Sequence, residues 1–270
     1  MIDYAEFPEL RPVEIAAARY PSLAGKPVLI TGGGSGIGAS LVEHFAGQGC
    51  RVGFVELSPD YTRQTAEDVE KATGNRPVGI AADVRDIAAL KAAIAAITAE
   101  IGAPRVLVNN AGNDDRLPIE DVTPEYWDER FATNLRHQFF AAQAVIEGMA
   151  AAGGGAIVNM GSTSWMKGAA GLIFYTTAKA AVMGFTKSLA REVGTRNIRV
   201  NSIAPGWVLT PRQVARARRI YQGKFDEYLT AQCLKEHLLP PDIARMALWL
   251  AADDSRLVSG QTFIVDAGTV

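Results

Sequence analysis

The sequence predicts a single-domain α/β fold built on a doubly wound parallel sheet of seven strands. Two observations carry that expectation. Short, nearly continuous apolar runs alternate with longer segments whose apolar residues recur at helical spacing, and the first run leads straight into a glycine cluster, Thr31-Gly32-Gly33-Gly34-Ser35-Gly36-Ile37-Gly38. Parallel strands need crossovers that lie on the faces of their sheet, so strands apolar on both sides and separated by amphipathic helices imply a sheet covered on both faces.

Taken in order, residues 1–24 are polar and punctuated by Pro8, Pro12 and Pro21, and read as an N-terminal arm. The first strand falls at 26–31 and the first helix at about 36–48. Further strands fall at 51–56, 78–82, 106–109, 156–160, 198–203 and 262–265. The alanine-rich stretches 87–100 and 141–152 keep helical spacing and are helices rather than linkers. Only 210–239 fits no strand–helix alternation. It reads as a substrate-loop insertion within the domain 25–270, over the carboxyl edge of the sheet, where doubly wound folds bind their ligands. No internal repeat or second domain boundary is evident.

With 270 residues, 48% of them hydrophobic and 21% charged, the chain can bury one substantial core. A formal net charge of −2 supplies no basic field for nucleic acid or an anionic membrane surface, so small molecules and further copies of the chain are the expected partners. Cys50 and Cys233 form no paired framework, and His44, His137 and His237 lack ligand spacing, so no metal is expected. No apolar stretch is long enough to span a bilayer, and Asp3, Glu6, Glu9 and Arg11 stand where a secretory signal would be basic and then apolar. The expected location is cytoplasmic.

A glycine loop between a strand and a helix lets the backbone approach a pyrophosphate, while the helix N-terminus offers unpaired N–H groups to it. Glycines alone would equally make a tight turn. Glu56 ends the second strand, 18 residues after Gly38, where a carboxylate can accept hydrogen bonds from adenosine ribose hydroxyls. It would repel a 2′-phosphate, and the loop carries no Arg or Lys, so NAD is expected over NADP. Tyr175 and Lys179, at i and i+4, share one helix face, and Ser162 precedes Tyr175 by 13 residues, at the end of a strand. A hydroxyl pair beside a cation can take a proton from an alcohol while a bound dinucleotide takes the hydride. Singly, such a tyrosine is packing, such a lysine a solvated charge, and Ser162 a turn residue. Their joint spacing after the glycine loop points to a redox enzyme. A free tyrosine titrates near pH ~10, and Lys179 together with the cationic ring of the oxidised cofactor is expected to lower that value.

Thr31-Gly32-x-x-x-Gly36-Ile37-Gly38, Asn109-Asn110-Ala111-Gly112, Asn134, Ser162, Tyr175-x-x-x-Lys179 and Asn201-x-x-x-Pro205-Gly206-x-x-x-Thr210 together closely resemble the short-chain dehydrogenase/reductase family, from about residue 22 to the C-terminus. The resemblance implies a Rossmann sheet of strand order 3-2-1-4-5-6-7 and a homotetramer built partly through helices near 124–152 and 175–193. It implies Asn134, Ser162, Tyr175 and Lys179 as the catalytic group, with Asn134 positioning a water that relays the proton through Lys179. For the cofactor it implies Gly32, Ser35, Gly36, Ile37 and Gly38 in the loop, Glu56 at the ribose, and Asp83 and Val84 at the adenine. Asn110, Ala111 and Gly112 would line the dinucleotide, Tyr175 and Lys179 would meet its nicotinamide ribose, and Ile203, Pro205, Gly206, Val208 and Thr210 would hold the nicotinamide end.

Finer matches in Tyr20-Pro21-Ser22-Leu23, Asn113-Asp114-Asp115-Arg116, Tyr126-Trp127-Asp128-Glu129-Arg130, Asn134-Leu135-Arg136-His137, Ser164-Trp165 and Ala231-Gln232-Cys233-Leu234-Lys235 resemble a bacterial aldose 1-dehydrogenase branch of that family. That branch implies oxidation of a free pentose or hexose of xylose, arabinose, galactose or fucose type to its aldonolactone, the entry step of a non-phosphorylated degradation. The chain departs from that pattern at Tyr175-Thr176-Thr177 and over most of 210–230, where the substrate is expected, so the sugar stays open.

Candidate substrate contacts are Asn113 and Asp114, Ser162, Ser164, Tyr175, the aromatic face of Trp165, and Trp207 and Gln213. The 113–115 segment could equally cap a helix or bind Arg116. Arg212, Arg216, Arg218 and Arg219 have the spacing of a solvated helix face, with an anionic, phosphorylated substrate as the lesser alternative. Two rival readings remain: a dehydrogenase for a secondary alcohol of a polyol or sugar-acid intermediate, and a nucleotide-binding regulator without turnover. The intact Ser162, Tyr175 and Lys179 oppose the second.

Overall fold

The computed structural model describes residues 18–221 and 226–270. Its strands are β1 (Pro27–Thr31), β2 (Arg51–Glu56), β3 (Val78–Ala81), β4 (Val106–Asn109), β5 (Gly155–Met160), β6 (Ile198–Pro205) and β7 (Thr262–Val265). They pair in parallel in the order β3-β2-β1-β4-β5-β6-β7, as the resemblance implies. The crossovers are α1 (Gly36–Gly47), α2 (Pro59–Thr73), α3 (Ile87–Ile101), α4 (Pro124–Phe131), α5 (His137–Ala151) and α6 (Ile173–Val193). After β6 come α7 (Pro211–Tyr221), the single turn α8 (Asp226–Leu229) and α9 (Pro240–Ala251).

Side chains alternate across a strand, so successive residues of β1 serve two cores. Val28 and Ile30 join Leu41, Val42 and Phe45 of α1 and Ile243, Ala247 and Leu250 of α9 on one face. Leu29 joins Leu90, Ile94 and Ile97 of α3 and Val145 and Met149 of α5 on the other. Most of these side chains are fully buried, each stabilising the fold by about 1.5–3 kcal/mol relative to exposure. Helix starts are written locally: Ser58 caps α2 by accepting from the Tyr61 N–H at 3.3 Å, and Asp86 caps α3 by accepting from Ala88 and Ala89.

β1 lies between β2 and β4, so the chain order reverses there and a crevice opens at the carboxyl ends of β1 and β4. The candidate site residues are gathered around that crevice.

Two segments lie outside the strand–helix alternation. The arm was placed at 1–24, and its residues 1–17 lie outside the described residues, yet from residue 18 the chain is already docked on the domain. Leu23 is fully buried, and the Tyr20 N–H donates to Gln48 Oε1 at 2.9 Å. The other is the expected insertion at 210–239. It carries α7 and α8 and is tied off at its base by a parallel bridge between Val208 and Leu238.

Candidate active site

Gly32 and Gly36 hold φ of 68° and 52°, the left-handed region that suits glycine. Contact as well as conformation excludes a side chain there. A Cβ on Gly32 would lie 2.8 Å from Ala111 Cα, and one on Gly36 would lie 2.9 Å from Thr210 Cγ2. The loop is thus packed between the segment after β4 and the segment after β6. Thr31 Oγ1 accepts from the N–H groups of Asn110 at 3.1 Å and Ala111 at 3.2 Å. The Asn110 amide donates to the carbonyls of Gly32 at 2.8 Å and Thr31 at 3.2 Å, so that side chain shapes the loop and leaves backbone to line the crevice.

The residues fit a dinucleotide. Ser35 makes no capping side-chain hydrogen bond to α1, and the first turn holds no acidic residue, so the positive helix end faces the crevice uncancelled. Glu56 is not a loose charge at a strand end: Oε2 accepts from the Gly34 N–H at 2.9 Å and Oε1 from the Ser58 N–H at 3.3 Å. The carboxylate therefore borders the glycine loop. Asp83 and Val84 follow β3. The Asp83 carboxylate is gripped by Arg85, which hydrogen-bonds it and holds its acid below the usual carboxylate range, and Val84 packs on the core.

The catalytic candidates converge from three elements. Ser162 follows β5 and begins a 3₁₀ turn, Thr163–Trp165, where its Oγ accepts from the Ser164 N–H at 3.1 Å. Its hydroxyl acts to lower the Tyr175 phenol. Lys179 is buried beneath that phenol, 5.7 Å from the ring centre, and donates to the Met160 carbonyl at 2.8 Å. Asn134 sits in a π-helical turn, Ala132–Arg136, between α4 and α5. That turn aims its amide at Asn113: Oδ1 accepts from the Asn113 N–H at 2.8 Å, and Nδ2 donates to the Asn113 carbonyl at 3.1 Å. A Cβ on Gly112 would stand 3.2 Å from Asn134 Oδ1 and 3.3 Å from Lys179 Nζ, so Gly112 is the joint where the cofactor-lining loop meets both.

The electrostatics of the chain alone run opposite to the shift expected with the oxidised cofactor bound. Without the cofactor's charge the Tyr175 phenol is not lowered but pushed up to about 12, by burial first and by the negative charge of Asp114 second. The Ser162 hydrogen bond and Arg212 oppose that shift. Burial brings Lys179 down to about 8.

The substrate candidates divide. Asn113, Asp114, Trp207 and Gln213 form one connected wall. Gln213 Nε2 donates to Asp114 Oδ2 at 2.9 Å, and Trp207 Nε1 donates to Gln213 Oε1 at 3.3 Å. Trp207 packs edge-on to Tyr228, ring centres 4.8 Å apart. Ser164 and Trp165 lie in the turn after Ser162, and the Ser164 Oγ and Trp165 Nε1 are buried without a hydrogen-bond partner. The solvated-face reading of the arginines is corrected for two of them: Arg216 Nη1 contacts Asp114 Oδ2 at 2.5 Å, and Arg212 Nη2 contacts Asn113 Oδ1 at 2.5 Å. Asp115 turns to Arg130, at 3.6 Å, rather than to Arg116.

Nothing in the sequence near Arg212 and Arg216 shows their partners, Asn113 and Asp114, about a hundred residues away. His137, which lacks ligand spacing, is fully buried within the electrostatic reach of Lys179. Among the described residues no group of three or more His, Cys, Asp or Glu is placed to hold a metal ion, and no helix is long and apolar enough to cross a membrane.

A dinucleotide crevice with a serine, tyrosine and lysine at its mouth defines an oxidoreductase of CH–OH groups, and comparison with known proteins agrees. The family profile described as enoyl-(acyl carrier protein) reductase matches residues 32–270. The chain is 45% identical to the D-xylose 1-dehydrogenase of Caulobacter vibrioides, over 94% of this chain and 99% of that protein. It is 44% identical to the "Probable galactose dehydrogenase GalD" of Rhizobium meliloti, over 94% of this chain and 98% of that protein. The L-sorbose reductase of Gluconobacter frateurii, solved with NADPH and L-sorbose, superposes with a TM-score of 0.88 at 29% identity, covering 93% of this chain and 98% of that one. The chain belongs to the short-chain dehydrogenase/reductase family. Its dinucleotide is therefore NAD or NADP.

Proposed function

We propose that the protein oxidises a free aldose at its anomeric carbon to the aldonolactone, using NAD. The observation that carries the substrate class is the state of Arg212 and Arg216. Asp114 pairs with the largely buried Arg216 and stands 3.6 Å from Arg212, so the mouth is a polar wall whose largely buried arginine is already engaged by a carboxylate. Such a wall of hydrogen-bonding groups suits an uncharged polyhydroxyl molecule. The sugars named for the two relatives above support the same class.

Glu56, Gly32 and the N-terminus of α1 would hold the dinucleotide, which when bound supplies the hydride acceptor. The remaining work falls to this chain. Ser162 holds the substrate oxygen through its hydroxyl, and Tyr175, as phenolate, takes the hydroxyl proton while the C–H electron pair leaves as hydride. The product is a carbonyl, which on the anomeric carbon of a ring is a lactone. Lys179, buried and already lowered to about 8, can exchange that proton near neutrality.

NAD is preferred in this reading because Glu56 borders the loop and would repel a 2′-phosphate. The same reading makes the enzyme a cytoplasmic homotetramer at the entry of a non-phosphorylated sugar route. Trp127, Phe139 and Ile173, each 46–48% exposed on the helices expected to pair, support the assembly. The test is formation of reduced cofactor from NAD and from NADP across D- and L-pentoses, hexoses, polyols and sugar acids. Activity on one stereochemical family of aldoses with acid accumulating is the expected result. Activity confined to polyols or sugar acids would overturn it.

A further inference from the structure

We propose that Asp114 is the specificity-determining residue of the site, accepting a hydrogen bond from the substrate hydroxyl next to the carbon being oxidised, and that Arg216 is the positioning residue that holds it there. The inference rests on the sugar-oxidising reading.

The backbone before Asp114 is fixed, because both polar groups of the Asn113 peptide are bonded to Asn134. The Asp114 side chain is only 19% exposed, and its two oxygens are treated differently. Oδ2 receives Gln213 Nε2 at 2.9 Å and Arg216 Nη1 at 2.5 Å. Oδ1 has Arg212 at 3.6 Å, beyond hydrogen-bond length. Among the described residues, then, one oxygen is saturated by α7 and the other is left as an acceptor. Burial disfavours the carboxylate, but Gln213, Arg216 and Arg212 more than offset it, so the acid is lowered and the group is ionised at neutral pH. Its negative charge acts on the Tyr175 phenol, on the same crevice.

A hydroxyl donating to an ionised, largely desolvated carboxylate makes a charge-assisted bond, and a substrate lacking that hydroxyl leaves the oxygen unpaired. Arg216 makes this possible. Its side chain is 14% exposed, and it stands on α7 with Val214 and Ala217 buried, so the helix cannot roll and the guanidinium cannot follow a wandering carboxylate. Without it the buried charge loses its closest cation, and Oδ2 is free to turn toward the mouth.

The test compares the full-length wild type with Asp114→Asn, Arg216→Met and Arg216→Lys. Each is assayed on the aldose the wild type oxidises best and on the same sugar lacking the hydroxyl beside the anomeric carbon, with NADH affinity measured by fluorescence. The wild type should favour the complete sugar by about 10- to 100-fold in kcat/KM. Asp114→Asn and Arg216→Met should compress that ratio to within about threefold while NADH affinity holds, and Arg216→Lys should restore part of it. If Asp114→Asn does not fold, Asp114→Glu, which displaces the carboxylate by one methylene, serves in its place. A ratio unchanged by the Asp114 substitution, or a wild type indifferent to the missing hydroxyl, overturns the proposal and leaves aldose oxidation standing. A wild type that oxidises no aldose overturns the underlying reading and this proposal with it.

Discussion

His137 should make the protein acid-labile by an amount that can be worked out. The ring is fully buried, neither nitrogen makes a well-aligned hydrogen bond, and its pKa is brought down to about 3 from 6.5. Burial is the main cause and the charge of Lys179 the second, with the carbonyls of Ala132 and Thr133 opposing. The folded-state value lies below the unfolded one, so the unfolded chain binds the extra proton first, and stability falls as pH drops through the window from about 6.5 to about 3. Integrated from about pH 7 to about pH 5, this one group removes roughly 2 kcal/mol. For a domain of this size that is a fall of about 4–8 °C in Tm. The assay is thermal unfolding of the wild type and of His137→Leu across that range. Other titrating groups act in both proteins, so the quantity that matters is the difference in slope. The variant should lose Tm less steeply on acidification, with the curves separating below about pH 6.5. Parallel curves would refute the claim that His137 is buried neutral.

Three further outcomes follow from the site. Tyr175→Phe should lower kcat by at least about a thousandfold while NADH affinity changes by less than about threefold, since only the proton acceptor is removed. Asp114 raises and Arg212 lowers the Tyr175 phenol; the pH profile of kcat/KM should therefore move to lower pH in Asp114→Asn and to higher pH in Arg212→Met, and shifts of the same sign in both would contradict the assignment. Glu56→Ser should raise kcat/KM with NADP by about tenfold or more and weaken NAD, because it removes both the repulsive charge and the anchor of the Gly34 N–H.

What could be read in the sequence was what local pattern determines. The continuous apolar runs, the glycines flanked by a strand and a helix, and Tyr175 four residues before Lys179 each announce themselves within a short window. All landed in the elements assigned to them. The insertion was harder. The arginines of α7 alternate as a solvated face would, and nothing nearby shows that Arg216 meets a carboxylate 102 residues earlier. The acidity of Tyr175 in the chain alone was not legible for a related reason. The i,i+4 spacing places Lys179 under the ring, but burial and Asp114, both products of tertiary packing, decide the sign. Asn134 was found by its motif, yet the π-helical turn that aims it has no local signature, since its residues are ordinary helix formers.

That turn has a wider consequence. Across Ala132–Arg136 one residue too many is wound into what would otherwise be a regular helix from Pro124 to Ala151. Removing a single residue there would let the coil close to its usual pitch and relieve a costly irregularity. It would also turn everything upstream by about 100° relative to everything downstream. Tyr126 and Trp127, whose rings lie 5.6 and 5.1 Å from that of Phe174, would swing away from the helix that carries Tyr175. Asn134 would leave Asn113, and with it the backbone on which Asp114 is mounted. The more regular helix and the working site are therefore alternatives separated by one residue, and a search for greater stability alone would find the deletion attractive and the enzyme gone.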